Sequence, residues 1–261
     1  MMDETGRPPA PKWAHVILLM VLFFLYFPLL YMIWGAFRTD EYWSFGYFVR
    51  VLANEYWMDA LYRSLSMAWF SSVISTILGT AAALTLDESR TKGPKVLPAL
   101  MTLAMVVPEL VFALILLTWF SWLHFSLSLL TVLVAHVTYS VSFTFLIVYG
   151  RVQQLDRNLA EAAADLGASP WQGLLKVKIP LLRPAMGAAF FVAFLLSFDD
   201  FLISFYVNGV GTDLLPIKLY AAIKIGMTPE LNALATILAL ISGTAVAILL
   251  RSRFIQGMIS P

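Results

Sequence analysis

The chain has no cysteine and few charged residues. Of its 261 residues none is cysteine and only 13% are charged, whereas 60% are hydrophobic. The absence of cysteine excludes disulfides, thiolate metal sites and lipid attachment at cysteine. The low charge and the mean hydropathy of +0.81 exclude a soluble domain, so the bilayer is the solvent of this protein.

Catalytic motifs are also missing. The sequence has no Gly-Lys-Ser/Thr, so it lacks the phosphate cradle of a P-loop ATPase. Its histidines, His15, His124 and His136, are far apart, and neither a His-Glu-x-x-His array nor a Gly-x-Ser-x-Gly elbow occurs. We therefore interpret the three histidines as interfacial or helix-packing residues and predict no catalytic role, metal site or cofactor on this chain. A net charge of only +1 argues against a nucleic-acid partner, which a strongly basic chain would favour.

The apolar residues are grouped into runs long enough to cross a membrane, which takes about 20 residues per helix. The uncharged stretch 110–150 is too long for one helix and divides near Trp122 to Ser128. We predict an all-α polytopic membrane domain over residues 13–253, between tails at 1–12 and 254–261. Its six spans are expected at about 14–37, 63–86, 96–123, 127–150, 184–207 and 231–250.

The basic residues predict the orientation. With the N-terminus inside, the cytoplasmic segments carry twelve of the 17 Lys and Arg residues, as the positive-inside rule requires. Both termini and the polar segment between the fourth and fifth spans are then cytoplasmic. The first span is too long for a signal-peptide core, so we expect it to be retained as an anchor.

The polar segment has clear helix signals. Asn158 precedes Glu161 by three residues, as Ser169 precedes Gln172, and each pair has the spacing of a capping box. Gly167 stands where a helix C-terminus needs a left-handed residue. Pro180 is expected to end the second helix and to force the residue before it out of the α region. These signals predict a rigid helix-turn-helix.

This segment resembles a known loop. Glu161-Ala162-Ala163, Gly167 and Val177-x-Ile179-Pro180 are similar to the EAA loop, here residues 156–183, of the permease subunits of bacterial ABC importers. A DNA-binding helix-turn-helix is the alternative, but this one is tethered to two spans and lacks a basic recognition face. The resemblance implies a type I ABC importer fold and a coupling role for six residues: Glu161, Ala162, Ala163, Asp165, Gly167 and Pro180.

The resemblance also implies partners and a location. The machine would contain a second permease subunit, two cytoplasmic ATPases that hold ATP and Mg, and a binding protein on the opposite face of the bacterial inner membrane. The loop would dock on an ATPase, with Glu161 paired to a basic group and Gly167 setting the angle between the two short helices. Hydrolysis would occur on the partner, so this chain is expected to be non-catalytic.

Three acids lie within predicted spans, where a charge costs roughly 2.5 to 3.5 kcal/mol on insertion scales. Glu109 follows Pro108 in the third span, and Asp199 and Asp200 lie in the fifth, which we expect to continue as a helix to Val207. No Lys or Arg lies inside a span, so these acids have no obvious partner within the chain. A cationic cargo would supply the missing charge, and nearby aromatic rings would cover its methylene groups. The candidate rings are Phe198, Phe201 and Trp119.

Three further segments extend the resemblance to one branch of the family. Residues 197–200, 214–220 and 229–236 are similar to the C-type permease subunits of spermidine/putrescine importers. The resemblance implies a polyamine cargo, whose ammonium groups Glu109 and one of Asp199 or Asp200 would guide. The alternatives are the same machine with another amine, an organic acid or iron as cargo, a stand-alone channel, or a membrane enzyme. An oxyanion is disfavoured because the spans contain acids and no bases.

Overall fold

The computed structural model describes residues 12–38, 43–88, 96–156 and 158–251. The tails expected at 1–12 and 254–261 lie outside these residues apart from Lys12, and the role predicted for the Glu161 side chain also falls outside the described part. Helices account for the regular structure of the described residues. They are α1 Lys12–Phe37, α2 Gly46–Ala53, α3 Glu55–Glu88, α4 Val96–Val106, α5 Glu109–Trp122, α6 Leu129–Val152, α7 Asn158–Asp165, α8 Pro170–Gly173, a π-helical segment Leu174–Lys178, α9 Ile179–Phe198, α10 Leu202–Val207, α11 Leu215–Ile225 and α12 Pro229–Arg251.

Among the described residues, five helices are long and apolar enough to cross a membrane, and the count is six if α4 and α5 form one broken span. The five lie at Trp13–Phe37, Glu55–Leu86, Leu129–Val152, Pro170–Phe198 and Pro229–Ile248. This agrees with the all-helical, six-span fold that the sequence predicts.

The third span is broken rather than gently kinked. Its two parts, α4 and α5, meet at an angle of 104°. Pro108 stands at the break and has no backbone N–H to continue the ladder of α4. The break moves Glu109 from the middle of a helix, where the sequence places it, to the first residue of α5.

The fifth span is also broken, and here the expectation of one helix to Val207 is wrong. α9 ends at Phe198, and α10 begins at Leu202. Between them the Asp200 carboxylate accepts the backbone N–H groups of Ile203 at 3.2 Å and Ser204 at 2.7 Å. An aspartate that bonds the amides three and four residues ahead competes with the helix ladder and starts a new helix.

The contacts divide the chain into two compact units. The smaller contains Met1–Glu55 and Ala222–Leu240. Within it, Arg50 lies 3.4 Å from Glu230 in an exposed ion pair. A Cβ added at Gly35 would lie 2.6 Å from the Asn232 amide nitrogen, so a larger residue here would displace that side chain.

The larger unit contains Tyr56–Ala221 and Ile241–Pro261. Its main helix pair is α6 against α9, where Phe145, Val148, Leu182 and Ala189 are buried together. A second cluster joins α5, α6 and α10. Membrane helices associate through close van der Waals packing rather than through the hydrophobic effect. The small residue Gly79 fits that rule, because a Cβ there would lie 2.7 Å from the backbone nitrogen of Phe145.

Candidate functional site

The two helix breaks bring two acids of different spans together. Glu109 opens α5, Asp200 lies in the break before α10, and α10 packs on α5. Their carboxyl groups lie within reach of a side-chain hydrogen bond. Asp200 is buried, with 6% of its surface exposed, whereas Glu109 is half-buried. Of the predicted acids, Glu109 and Asp200 thus form one site.

Asp200 has a partner within the chain, which corrects the expectation that the acids are unpaired. His136 of α6 places Nε2 3.0 Å from Asp200 Oδ2 and 3.0 Å from Ser204 Oγ. Its Nδ1 lies 2.6 Å from Ser197 Oγ. The four side chains are buried, so each polar atom depends on the others for a hydrogen bond.

The sequence reasoning missed His136 because it treated all three histidines as packing residues. An ionisable side chain inside a membrane span is a functional candidate by default. That rule selected the acids, and applied to the uncharged stretch 110–150 it would have selected His136 as well.

Asp199 has its hydrogen-bond partner outside this cluster. It is exposed on the single chain, and one of its oxygens accepts a hydrogen bond from Ser242 of α12 at 3.2 Å. Neighbouring residues at a helix end diverge by about 100°. The two aspartates accordingly have separate environments, one buried among hydroxyl and imidazole groups and the other open.

Of the three predicted aromatic residues, Phe198 and Trp119 do not lie open beside the acids, whereas Phe201 directly follows Asp200 and is half-buried. Phe198 is 1% exposed and stacks on Phe194 with ring centroids 5.8 Å apart, so its face is not open to a cargo. Trp119 is 48% exposed. It lies ten residues beyond Glu109 on α5, which is about 15 Å along the helix axis.

Gly167 forms the predicted turn of the polar segment. Its φ is +84°, in the left-handed region. The Ala168 N–H donates to the Ala163 carbonyl at 3.0 Å and the Gly167 N–H to the Ala164 carbonyl at 2.8 Å, which is a Schellman motif. Ala162, Ala163 and Asp165 lie in α7 just before this turn.

One of the two predicted capping boxes is present. Ser169 Oγ accepts the Gln172 N–H at 3.3 Å, and Gln172 Oε1 accepts the Ser169 N–H at 3.0 Å. Asn158, however, is the first helical residue rather than the cap, and its N–H donates to Asp156 Oδ1 at 2.9 Å. The aspartate two residues earlier replaces it because a carboxylate is an equally good acceptor for these amides.

Pro180 does not end a helix, contrary to the prediction. The residue before it, Ile179, has φ −59° and ψ −45°, and the chain runs helically from Pro170 to Phe198. The π-helical segment Leu174–Lys178 precedes the proline, and the Ile179 N–H bonds to the Leu174 carbonyl. A proline ring clashes with the carbonyl four residues back in an α-helix, and the wider π turn displaces that carbonyl.

The segment between α10 and α11 and the first turn of α11 are hydrogen-bonded to the N-terminal part of α3. Arg63 donates to the Gly211 carbonyl at 2.9 Å, and Ser64 Oγ accepts the Leu215 N–H at 2.8 Å. Lys218 donates to the Tyr56 carbonyl at 2.9 Å and lies 3.7 Å from the centroid of its ring. Burial first, and then the charge of Arg63, lower the pKa of Lys218.

Across the described residues, no group of three or more His, Cys, Asp or Glu side chains is arranged to hold a metal ion. The chemistry of the site is that of carboxyl, hydroxyl and imidazole groups. Such a set suits a cation that carries its own hydrogen-bond donors.

Comparisons with known proteins match most of the chain. Residues 75–260 match the family described as binding-protein-dependent transport system inner membrane component. The chain is 31% identical over 234 residues to the spermidine/putrescine transport system permease protein PotC of Haemophilus influenzae, covering 87% of this chain and 91% of that protein. It is 32% identical over 239 residues to the putrescine transport system permease protein PotI of Escherichia coli K12, covering 87% and 85%.

A solved structure has the same fold. A chain of a bacterial ABC transporter involved in the import of the acidic polysaccharide alginate superposes with a TM-score of 0.72 at 16% identity, over 95% of this chain and 96% of that one. At this identity the likeness concerns the fold alone.

Proposed function

This chain belongs to the family of binding-protein-dependent transport system inner membrane components, and we propose that it is the permease subunit of an ATP-driven importer of polyamines. The main support for a polyamine cargo is the similarity of this chain, over most of its length, to permeases named for spermidine and putrescine. The acids within the broken spans support it, because a polyamine presents ammonium groups that carboxylates bind.

The cargo path that we propose runs past Glu109 and Asp199. Glu109 is half-buried and Asp199 is exposed on the single chain, so a cargo ammonium group can reach either carboxylate. An ammonium group donates three hydrogen bonds, and bonds between charged groups are the strongest of their kind. Trp119 is an exposed ring further along α5 that would cover methylene groups. Phe198 is left out of this path because its ring is buried.

In this proposal, the loop at 156–183 transmits the conformational change of the ATPases to the membrane spans. Its apolar side chains are unusually open, with Leu166 90%, Trp171 66% and Leu175 47% exposed. Open apolar residues in a polar segment mark a protein contact. We assign the contact to one of two cytoplasmic ATPase subunits, which hold ATP and Mg. The second permease and a binding protein complete the machine, and this chain hydrolyses nothing.

The proposed location is the bacterial inner membrane, with both termini and the loop on the cytoplasmic side. The excess of Lys and Arg in these segments supports that orientation. Asp199 and Asp200 then lie toward the side on which the binding protein delivers cargo.

Cargo uptake by the assembled transporter tests the proposal. The chain is reconstituted in liposomes with its ATPases, second permease and binding protein, and ATP-driven accumulation of labelled putrescine and spermidine is measured. Another amine, an organic acid and ferric iron serve as competing cargoes. Accumulation of one of these without any polyamine uptake would overturn the polyamine assignment and leave the permease assignment standing.

The acids are tested by a double variant, Glu109→Gln with Asp199→Asn. Each change keeps the size and removes a charge that meets the cargo, so we expect polyamine uptake to fall about tenfold or more, the effect of losing hydrogen bonds between charged groups. Glu230→Gln is the matched control, because it removes an acid of an exposed ion pair. Unchanged uptake by the double variant would refute the role of these acids.

A further inference from the structure

His136 is the one buried histidine of the described residues, and it lies opposite the break in the fifth span. It is 2% exposed, and its ring nitrogens contact Ser197 in the last turn of α9 and Asp200 in the break. Burying a polar ring costs free energy unless its nitrogens are bonded. The residue therefore ties α6 to the place where α9 ends and α10 begins.

Protein groups meet the acceptor capacity of Asp200. Its Oδ2 accepts the Ser204 hydroxyl at 2.6 Å, the Ser204 N–H at 2.7 Å and the His136 imidazole at 3.0 Å, and its Oδ1 accepts the Ile203 N–H at 3.2 Å. An ionised carboxylate has about four acceptor positions. Four donors fill them, and the Glu109 carboxyl group also lies within hydrogen-bond reach, so Asp200 is a fixed anion with little capacity left for a cargo.

One tautomer of His136 satisfies the whole cluster without a positive charge. Ser197 Oγ–H donates to Nδ1, and Nε2–H donates to Asp200 and Ser204. A lysine or arginine in this position would also hold Asp200 but would cancel its charge. An imidazole in this position holds the carboxylate, and one of its tautomers does so without adding a positive charge beside Glu109.

We propose that His136 is a positioning residue of the transport path, which holds Asp200 as a fixed anion at the broken fifth span while Glu109 makes the contact with the cargo. The inference rests on the proposed function for the cargo and on geometry alone for the state of Asp200. This inference gives different roles to the two acids that the helix breaks bring together: Asp200 is held by the protein, and Glu109 is available to the cargo.

Carbodiimide labelling tests the state of Asp200. The reagent dicyclohexylcarbodiimide reacts with protonated carboxyl groups in apolar surroundings, and peptide mass spectrometry locates the product. In the purified transporter we expect no label on Asp200 in the wild type and clear label in His136→Leu, which removes the donor. His136→Gln, whose amide can still donate, should restore protection.

Two further variants distinguish loss of the donor to Asp200 from a general effect of changing a buried residue of α6. His136→Asn retains a polar group near Ser197 but is too short to reach Asp200, so it should be labelled like His136→Leu. Thr144→Val is the matched control, because it removes another buried hydroxyl of α6, bonded to the Ser75 carbonyl at 2.7 Å. This control should leave Asp200 unlabelled.

Transport supplies a second readout. Vmax/KM for cargo should fall about tenfold in His136→Leu, the effect of losing one hydrogen bond to a charged group, and recover in His136→Gln. Equal labelling of Asp200 in the wild type and in His136→Leu would overturn the proposal. Labelling does not depend on the cargo, so a wild type that imports no polyamine refutes the proposed function and leaves this result interpretable.

Discussion

The turn at Gly167 allows backbone strain in the coupling loop to be separated from charge. Its φ is +84°, and a Cβ added there would meet no atom within 4 Å. A substitution therefore causes no clash, and its cost comes from the backbone alone. For an ordinary L-residue the left-handed conformation costs about 1 to 2 kcal/mol, or about a 5- to 30-fold fall in the population of this turn. Asparagine and aspartate adopt the conformation more readily.

Three variants of this position should thus differ in a defined order. Gly167→Ala bears the full strain, Gly167→Asn bears little, and Gly167→Asp adds a negative charge at the C-terminus of α7, unfavourable by about 0.3 to 1 kcal/mol. We expect ATP-driven uptake to decrease from glycine to asparagine, and further in alanine and aspartate. The amount of each protein inserted in the membrane should stay the same.

Uptake and ATP hydrolysis by the reconstituted transporter, normalised to inserted protein, measure this effect. Gly173→Ala is the control, since Gly173 has a helical φ of −58° and a Cβ there would also meet open space. It should transport normally. Alanine at 167 transporting as well as glycine, or better than asparagine, would refute the strain argument.

Two contacts outside the loop give stability predictions for the detergent-purified chain. Ser64→Ala leaves the buried Leu215 N–H without its acceptor and should destabilise the fold by about 1 to 3 kcal/mol, seen as a lower thermal midpoint. Gly79→Ala forces a methyl group against Thr144 and the Phe145 backbone, and overpacking of this kind costs about 1 to 3 kcal/mol. A midpoint equal to that of the wild type would contradict either prediction.

The features that the sequence predicts well are those decided by neighbouring residues. The turn at Gly167 and the capping box of Ser169 involve groups within five positions of each other, so spacing alone specifies them. The apolar runs likewise predict the spans, because the bilayer demands a fixed length of helix whatever the partners are.

The features that the sequence misses depend on groups far apart in the chain or on competition between helix types. The partner of Asp200 is His136, 64 positions away, and no local pattern joins them. At Pro180 the usual rule for proline is outweighed by the π turn, which accommodates the ring and keeps the helix whole. Neither outcome can be predicted from propensity, since tertiary packing decides both.

The π-helical segment Leu174–Lys178 determines how the coupling loop is aimed around the axis of the fifth span. Each residue of an α-helix advances the chain by about 100° around its axis, so one residue more or fewer here would rotate the Gly167 turn by about a quarter of a circle relative to α9. The length of this short segment therefore sets the direction in which the loop faces. Substitutions can alter the strength of a contact with an ATPase, whereas an insertion or deletion here would rotate the contact surface to a different direction.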